Sequence, residues 1–239
     1  KTKFNDLVLT PSLNLHRYQV NADQNNFIGG FDKTMLLPAL NAKYNFRSSH
    51  SLTLNYDVAA QFTDIQNYAE GLIVRSYNSL FRGNVNLMNS LYHTVNINYF
   101  NFNMYNFLNI YGGLNYAKRL DDVTNIVEFN NLERVNTPTN INTTNEAVTG
   151  YANIEKRFDD FRASLNANWS RSISNNIISD TPNENINFVE SYKAKLSTTL
   201  FKKLFLDFGY SVSLSNYEGN NTSSKFENHQ PFANLEFNF

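Results

Sequence analysis

SLTLNYDVAAQFTDIQNYAEGLIVRSYNSLFRGNVNLMN, residues Ser51 to Asn89, opens by alternating. Leu52, Leu54, Tyr56, Val58, Ala60 and Phe62 fall on one side of an extended chain, and Thr53, Asn55, Asp57, Ala59 and Gln61 on the other. That period of two is what a strand with one apolar face requires. The pattern then dissolves into a polar loop. After Arg82-Gly83-Asn84-Val85-Asn86-Leu87 it resumes as Leu91, His93, Val95, Ile97 and Tyr99. Strand, long loop, strand is the unit that the rest of the chain repeats.

Working outward, the same alternation predicts about ten strands. Before the opening stretch they run near Asp6–Tyr18 and Thr34–Phe46. Beyond it they start at Leu108, at Ala147 (to Phe158), at Phe161, near Tyr192, at Leu204 and at Pro231. Pro11, Pro38 and Pro231 interrupt these runs and are expected at bulges or strand ends, because proline cannot donate to a ladder. The connections alternate in length. Asn21–Lys33, Thr63–Ser90, Lys118–Glu146, Ser174–Asn187 and Asn216–Glu227 are long, whereas Arg47–His50, Asn101–Phe107, Asp159-Asp160 and Lys202-Lys203 are short. In an up-and-down meander every second connection lies at the same end, so the long loops gather at one end and the short turns at the other. Transmembrane barrels sort their connections in this way; Greek-key sandwiches have no reason to do so.

Composition agrees. The 239 residues are 15% aromatic and only 17% charged, with 9 Gly, 5 Pro and a mean hydropathy of −0.45. No run approaches the ~18 apolar residues of a membrane helix. A chain polar on average yet dense in Phe and Tyr is expected where half of every strand faces lipid and half a wet lumen. Tyr44, Phe46, Phe100, Phe102, Phe107, Phe158, Phe161, Phe201 and Phe205 gather beside the short turns and are expected to form an interfacial girdle. The fold class expected is all-β, a transmembrane antiparallel up-and-down β-barrel. Lys1-Thr2-Lys3-Phe4 is not followed by the apolar core of a secretory leader, as expected of a mature chain or a piece of a longer one.

The opening stretch also resembles a known family. A strand of the form L-x-L-x-Y followed by a loop ending R-G-N-P-x-L-x-P-E is similar to the C-terminal barrel region of TonB-dependent outer-membrane receptors. Gly83, Asn84 and Leu87 match that motif, while Val85 stands for its first proline and its Pro-Glu is absent. The hairpin LLPALNAKYNF…HSLTLNY, from Leu36 to Tyr56, resembles one found in such receptors of the Bacteroidota. The resemblance covers Met35 to Tyr116. It implies that residues 1–239 form the C-terminal part of a 22-stranded barrel, with its plug, and the contact with the TonB system, outside this sequence. It further implies the bacterial outer membrane as location, outer-membrane lipid and a surface lipoprotein as partners, and uptake of a glycan, peptide or metal chelate. The alternation that ends Ala233, Leu235, Phe237, Phe239 resembles the insertion signal of such barrels.

Chemistry is sparse. There are no cysteines, and the four histidines, His16, His50, His93 and His229, have no metal-binding spacing. Asp57, Glu155, Asp207 and Glu236 share a face with Arg162, Lys193 and Lys195, and are expected to pair with them across a lumen. No nucleophile motif accompanies them, so neither catalysis nor a metal or cofactor is expected. A net charge of −1, evenly mixed, gives no reason to expect nucleic acid. The long loops carry the candidate ligand-binding residues, Tyr68, Arg75, Tyr77, Arg82, Arg119 and Arg134, because polar-aromatic loops on a rigid scaffold are where binding usually resides. Gly83-Asn84 is expected to act as a turn device, with Gly for an unusual backbone angle and Asn for a local cap. The rival expectation is a barrel that does not transport and instead holds surface lipoproteins or an assembly complex with the same loops.

Overall fold

The computed structural model describes residues 2–4, 6–24, 27–47, 49–69, 71–130, 133–140, 144–178, 181–200 and 204–237. Among them the strands are β1 (Thr2–Phe4), β2 (Leu7–Gln24), β3 (Phe27–Arg47), β4 (His50–Gln61), β5 (Leu72–Ser76), β6 (Ser79–Arg82), β7 (Ser90–Asn103) and β8 (Leu108–Leu120). They continue as β9 (Val123–Asn130), β10 (Glu133–Asn140), β11 (Asn145–Arg157), β12 (Phe161–Ile178), β13 (Thr181–Leu200), β14 (Leu204–Gly219) and β15 (Thr222–Phe237). Ile65–Tyr68 form one turn of 3-10 helix.

Ten long strands make one antiparallel sheet in the order β2-β3-β4-β7-β8-β11-β12-β13-β14-β15, with β1 a short addition to the start of β2. These are the ten strands read from the alternation. Three connections expected as long loops are instead strand: β2 with β3, β12 with β13, and β14 with β15 stay paired almost to their tips. In the β12–β13 and β14–β15 extensions Ser, Asn, Thr and Glu interrupt the alternation, so no sustained apolar period marks them, yet the backbone ladder continues. Only the connections after β4 and after β8 hold elements of their own. Phe201, Lys202, Lys203 and Phe239 lie outside the described residues.

Register fixes the two faces. Leu52, Tyr99, Gly112, Ala152, Ala167, Tyr192 and Val212 stand side by side in one row. On the opposite face Thr10, Asn41, Asn55, Asn96, Asn115, Thr149 and Ser170 form another. Much of the asparagine, 41 residues in all, serves this polar face: the Asn41 amide donates to Asn55, Asn115 to Asn96, and Asn153 to Asn166. The charges expected together are on this face too, with Lys195 2.8 Å from Asp207 and Arg162 3.8 Å from Glu155. Phe100, Phe102 and Phe205 also alternate onto it, which corrects the expectation that all the aromatics beside the short turns face outward. Tyr44 with Phe46, and Phe158 stacked on Phe161 at 4.4 Å, do stand on the apolar side.

No second layer covers the apolar face among the described residues. Leu165 is 56% exposed and Phe208 49%. The surface totals 16120 Å², against about 11,000 Å² for a compact soluble monomer of this mass. Charge closes the apolar band at both ends: on β11, Lys156 lies at the short-turn end and Glu146, 3.1 Å from Lys118, at the other, with Val148, Gly150, Ala152 and Ile154 between.

The prolines do not sit at bulges. Pro11, Pro38 and Pro231 pair in regular register with Leu40, Leu13 and Tyr210. Each occupies a position where only one side of its strand is paired among the described residues, so the missing N–H breaks no ladder bond. Glycine opposite an aromatic is a second device. The Trp169 indole lies over Gly150, and a Cβ there would overlap its ring. Gly150→Val is expected to displace the indole at a cost of about 1–3 kcal/mol, read as a shift in emission from the only tryptophan and a lower midpoint in denaturant.

Candidate functional site

The connections after β4 and β8 fold together at the long-loop end. β5 and β6 form a hairpin around Tyr77-Asn78, and β9 and β10 form another. β6 runs parallel to β10, and β9 joins the tip of β12 through Ile126↔Ile177 and Val127↔Ile178. The two loops are therefore one four-stranded extension of the wall. The 3-10 turn is capped by Asp64, whose carboxylate accepts from the Gln66 N–H at 2.9 Å.

Side-chain amides stitch this unit to itself. Asn84 donates to the Pro138 carbonyl at 3.0 Å, and its oxygen accepts from the Asn86 N–H at 2.9 Å. Asn136 donates to the Leu80 carbonyl at 3.2 Å. Asn140 accepts from the Met88 N–H at 2.7 Å and donates to the carbonyls of Met88 and Asp121 at 3.0 and 2.8 Å. Asn89 accepts from Lys33 of the wall at 2.7 Å. An amide bonds backbone as backbone does, so these residues replace ladder bonds where strands are short. Met88 and Asn89 thus have structural uses.

Gly83 works by close approach. Its φ is not in the left-handed region, where Gly71 is the glycine found among the described residues. A Cβ at Gly83 would instead overlap the backbone of Ala69. Asn84 does cap locally, as expected, and in addition ties the two loops. Around this contact lies the unit's core: Tyr68 (4% exposed), Phe81, Leu87 and the fully buried Pro138.

The six candidate residues separate accordingly. Tyr68 is a core residue, its phenol pushed up in pKa by burial, so in this arrangement it offers no ligand surface. Arg75 is exposed, its guanidinium 4.7 Å over the Phe81 ring and Nη2 3.5 Å from Gln66 Oε1. Tyr77, at the hairpin tip, is wholly exposed. Arg134 is exposed and donates from Nε to Asn136 Oδ1 at 2.9 Å. Strand alternation and the Phe81 contact put Arg75 and Arg134 on one face, and Arg82 on the other. Arg119 stands apart on β8, 3.5 Å from Asp122 and 4.6 Å over Tyr92. Sequence reasoning missed Phe129, exposed beside Arg134; its only signal was an aromatic in a polar loop. Leu235 and Phe237 are on the apolar side of β15, exposed. No group of metal-ligating side chains is found among the described residues. No protein-family model matches the chain, and no curated protein matches it.

Proposed function

We propose that this chain is the C-terminal wall of a β-barrel in the bacterial outer membrane, of the TonB-dependent receptor kind, and that its long loops bind the ligand to be imported. The observation that carries the reading is the uncovered apolar face of a ten-stranded meander, closed off by charge at both ends. From Glu146 to Lys156 the strand rises roughly 33 Å at ~3.3 Å per residue. Tilted by about 40°, that is roughly 25 Å, the height of the apolar band on such barrels. A soluble sandwich would bury this face against a second sheet. The polar face, with its amide rows and paired charges, suits a wet lumen.

Trp169 tests the reading. It sits on the apolar face, near the long-loop boundary of the band. In vesicles of brominated phospholipid its emission is expected to fall by more than half, and in plain vesicles to be blue-shifted. Emission unmoved by bromine would rule out the lipid-facing assignment.

One observation favours the rival reading, a barrel that holds partners without transporting. The two loops that carry the candidate residues are sewn into a fixed unit by Asn84, Asn136 and Asn140, a surface suited to a stable protein contact. Uptake of a ligand by the intact protein in energised cells separates the two.

A further inference from the structure

The tip of the loop unit carries two guanidiniums and a hydroxyl on one face of neighbouring strands, and the geometry points to a binding site for an oxyanion-bearing ligand formed by Arg75, Ser79 and Arg134. This rests on the reading of the long loops as the ligand-binding end. Arg134 is the direct neighbour of Ser79 on β10, and Arg75 flanks it from β5. With β6 between them, β5 and β10 are roughly 10 Å apart, two strand spacings. Two arginine side chains reach a common group across that distance. Ser79 Oγ accepts from Asn136 Nδ2 at 3.3 Å, which leaves its own proton to donate outward.

Among the described residues, charge on this face is one-signed. No carboxylate pairs with Arg75 or Arg134 among the described residues. Glu128 and Glu133 alternate to the opposite face, with Arg82. Asp64 is engaged in its helix cap. Each arginine is already oriented by a neutral partner, Gln66 or Asn136, and Arg75 is backed by the Phe81 ring. Oriented forks without counter-charge are what carboxylate, sulfate and phosphate groups bind. Tyr77 and Phe129 supply exposed rings at the rim, against which the body of an acidic saccharide can stack.

The test uses the full-length protein in detergent with two oxyanion probes: a galacturonate hexamer, with a neutral galactose hexamer as control, and lipid A in mixed micelles. The galacturonate hexamer is expected to bind, about tenfold more weakly when salt rises from about 50 to about 300 mM, and at least tenfold more weakly to Arg75→Gln/Arg134→Gln. Arg82→Gln, on the opposite face, is expected to stay within about twofold. Lipid A bound with the same dependence on both arginines supports the site and places its anion in the outer leaflet. Equal affinity for the neutral hexamer, no binding of either anion, or equal loss in Arg82→Gln overturns the proposal. Trp169 quenching of the same protein in brominated-phospholipid vesicles reports separately on the membrane reading.

Discussion

Leu165→Arg is expected to cost the inserted barrel about 2–4 kcal/mol, the penalty of a cation at the lipid-facing midplane. Asn168→Arg, three residues along the same strand, is expected to cost less than about 1 kcal/mol. Leu165 lies between Ile154 and Ala194 on the apolar face, and Asn168 between Tyr151 and Ser191 on the polar one. Neither change alters the backbone ladder, and both introduce the same side chain. The contrast therefore isolates the medium each face meets. Expressed as roughly 30–1000-fold in an insertion equilibrium, the first should abolish most protease-resistant, heat-modifiable protein in outer-membrane extracts, while the second leaves the yield within about twofold. If both substitutions are tolerated alike, the apolar face does not meet lipid. If both fail alike, it is buried against protein together with its opposite.

What was legible in the sequence follows from what period-two alternation measures. It reports a difference between faces, so it found Leu52 to Phe62 and Leu204 to Leu214, where the faces differ in every pair of residues. It was silent at Ser174–Asn176 and Thr222–Lys225, where polar residues fall on both faces and the backbone ladder continues. The strands of the loop unit were illegible for a related reason. β6 and β10 are held by Asn84, Asn136 and Asn140 reaching the backbone of the neighbouring loop, and nothing local in a sequence tells such an asparagine from a solvated one. Tyr68 was misplaced by the same blindness: a tyrosine in a polar loop reads as exposed until the core it enters is known. The prolines were read correctly as obstacles, but pairing is a property of the whole sheet, and only the topology shows that each lies where one side is unpaired among the described residues. Of the candidate site, residue types were legible and grouping was not. Arg75 and Arg134 are far apart in sequence and come to one face only because β6 pairs with β10.

Gly83→Val is expected to open the loop unit while leaving the wall intact. The new side chain would start inside the backbone of Ala69, which cannot yield as a flexible side chain can. Overpacking of this kind costs about 1–3 kcal/mol or more. Here it also pulls Asn84 from both its partners: the Asn84 N–H donates to the Asn67 carbonyl at 2.7 Å, and its amide bridges to Pro138. Losing these at about 1 kcal/mol each removes one tie between the two loops and leaves them held by Asn136, Asn140 and the pairing of β6 with β10. Residues 63–90 and 121–145 should then exchange amide hydrogens faster by at least tenfold, and become cleavable by protease. Amides of β11 to β14 should keep their protection, because their ladders do not depend on the loops. Binding of the galacturonate probe should be lost with the loops, since Arg75 and Arg134 converge only through the pairing of β6 with β10. Asn84→Asp separates the tie from the packing: it keeps the oxygen that caps Asn86 and loses the N–H that reaches Pro138, so it should loosen the loops by a few-fold only. If Gly83→Val left exchange in both loops unchanged, the glycine would have no part in joining them, and the unit's rigidity would have to come from the strand pairing and the Asn136 and Asn140 amides.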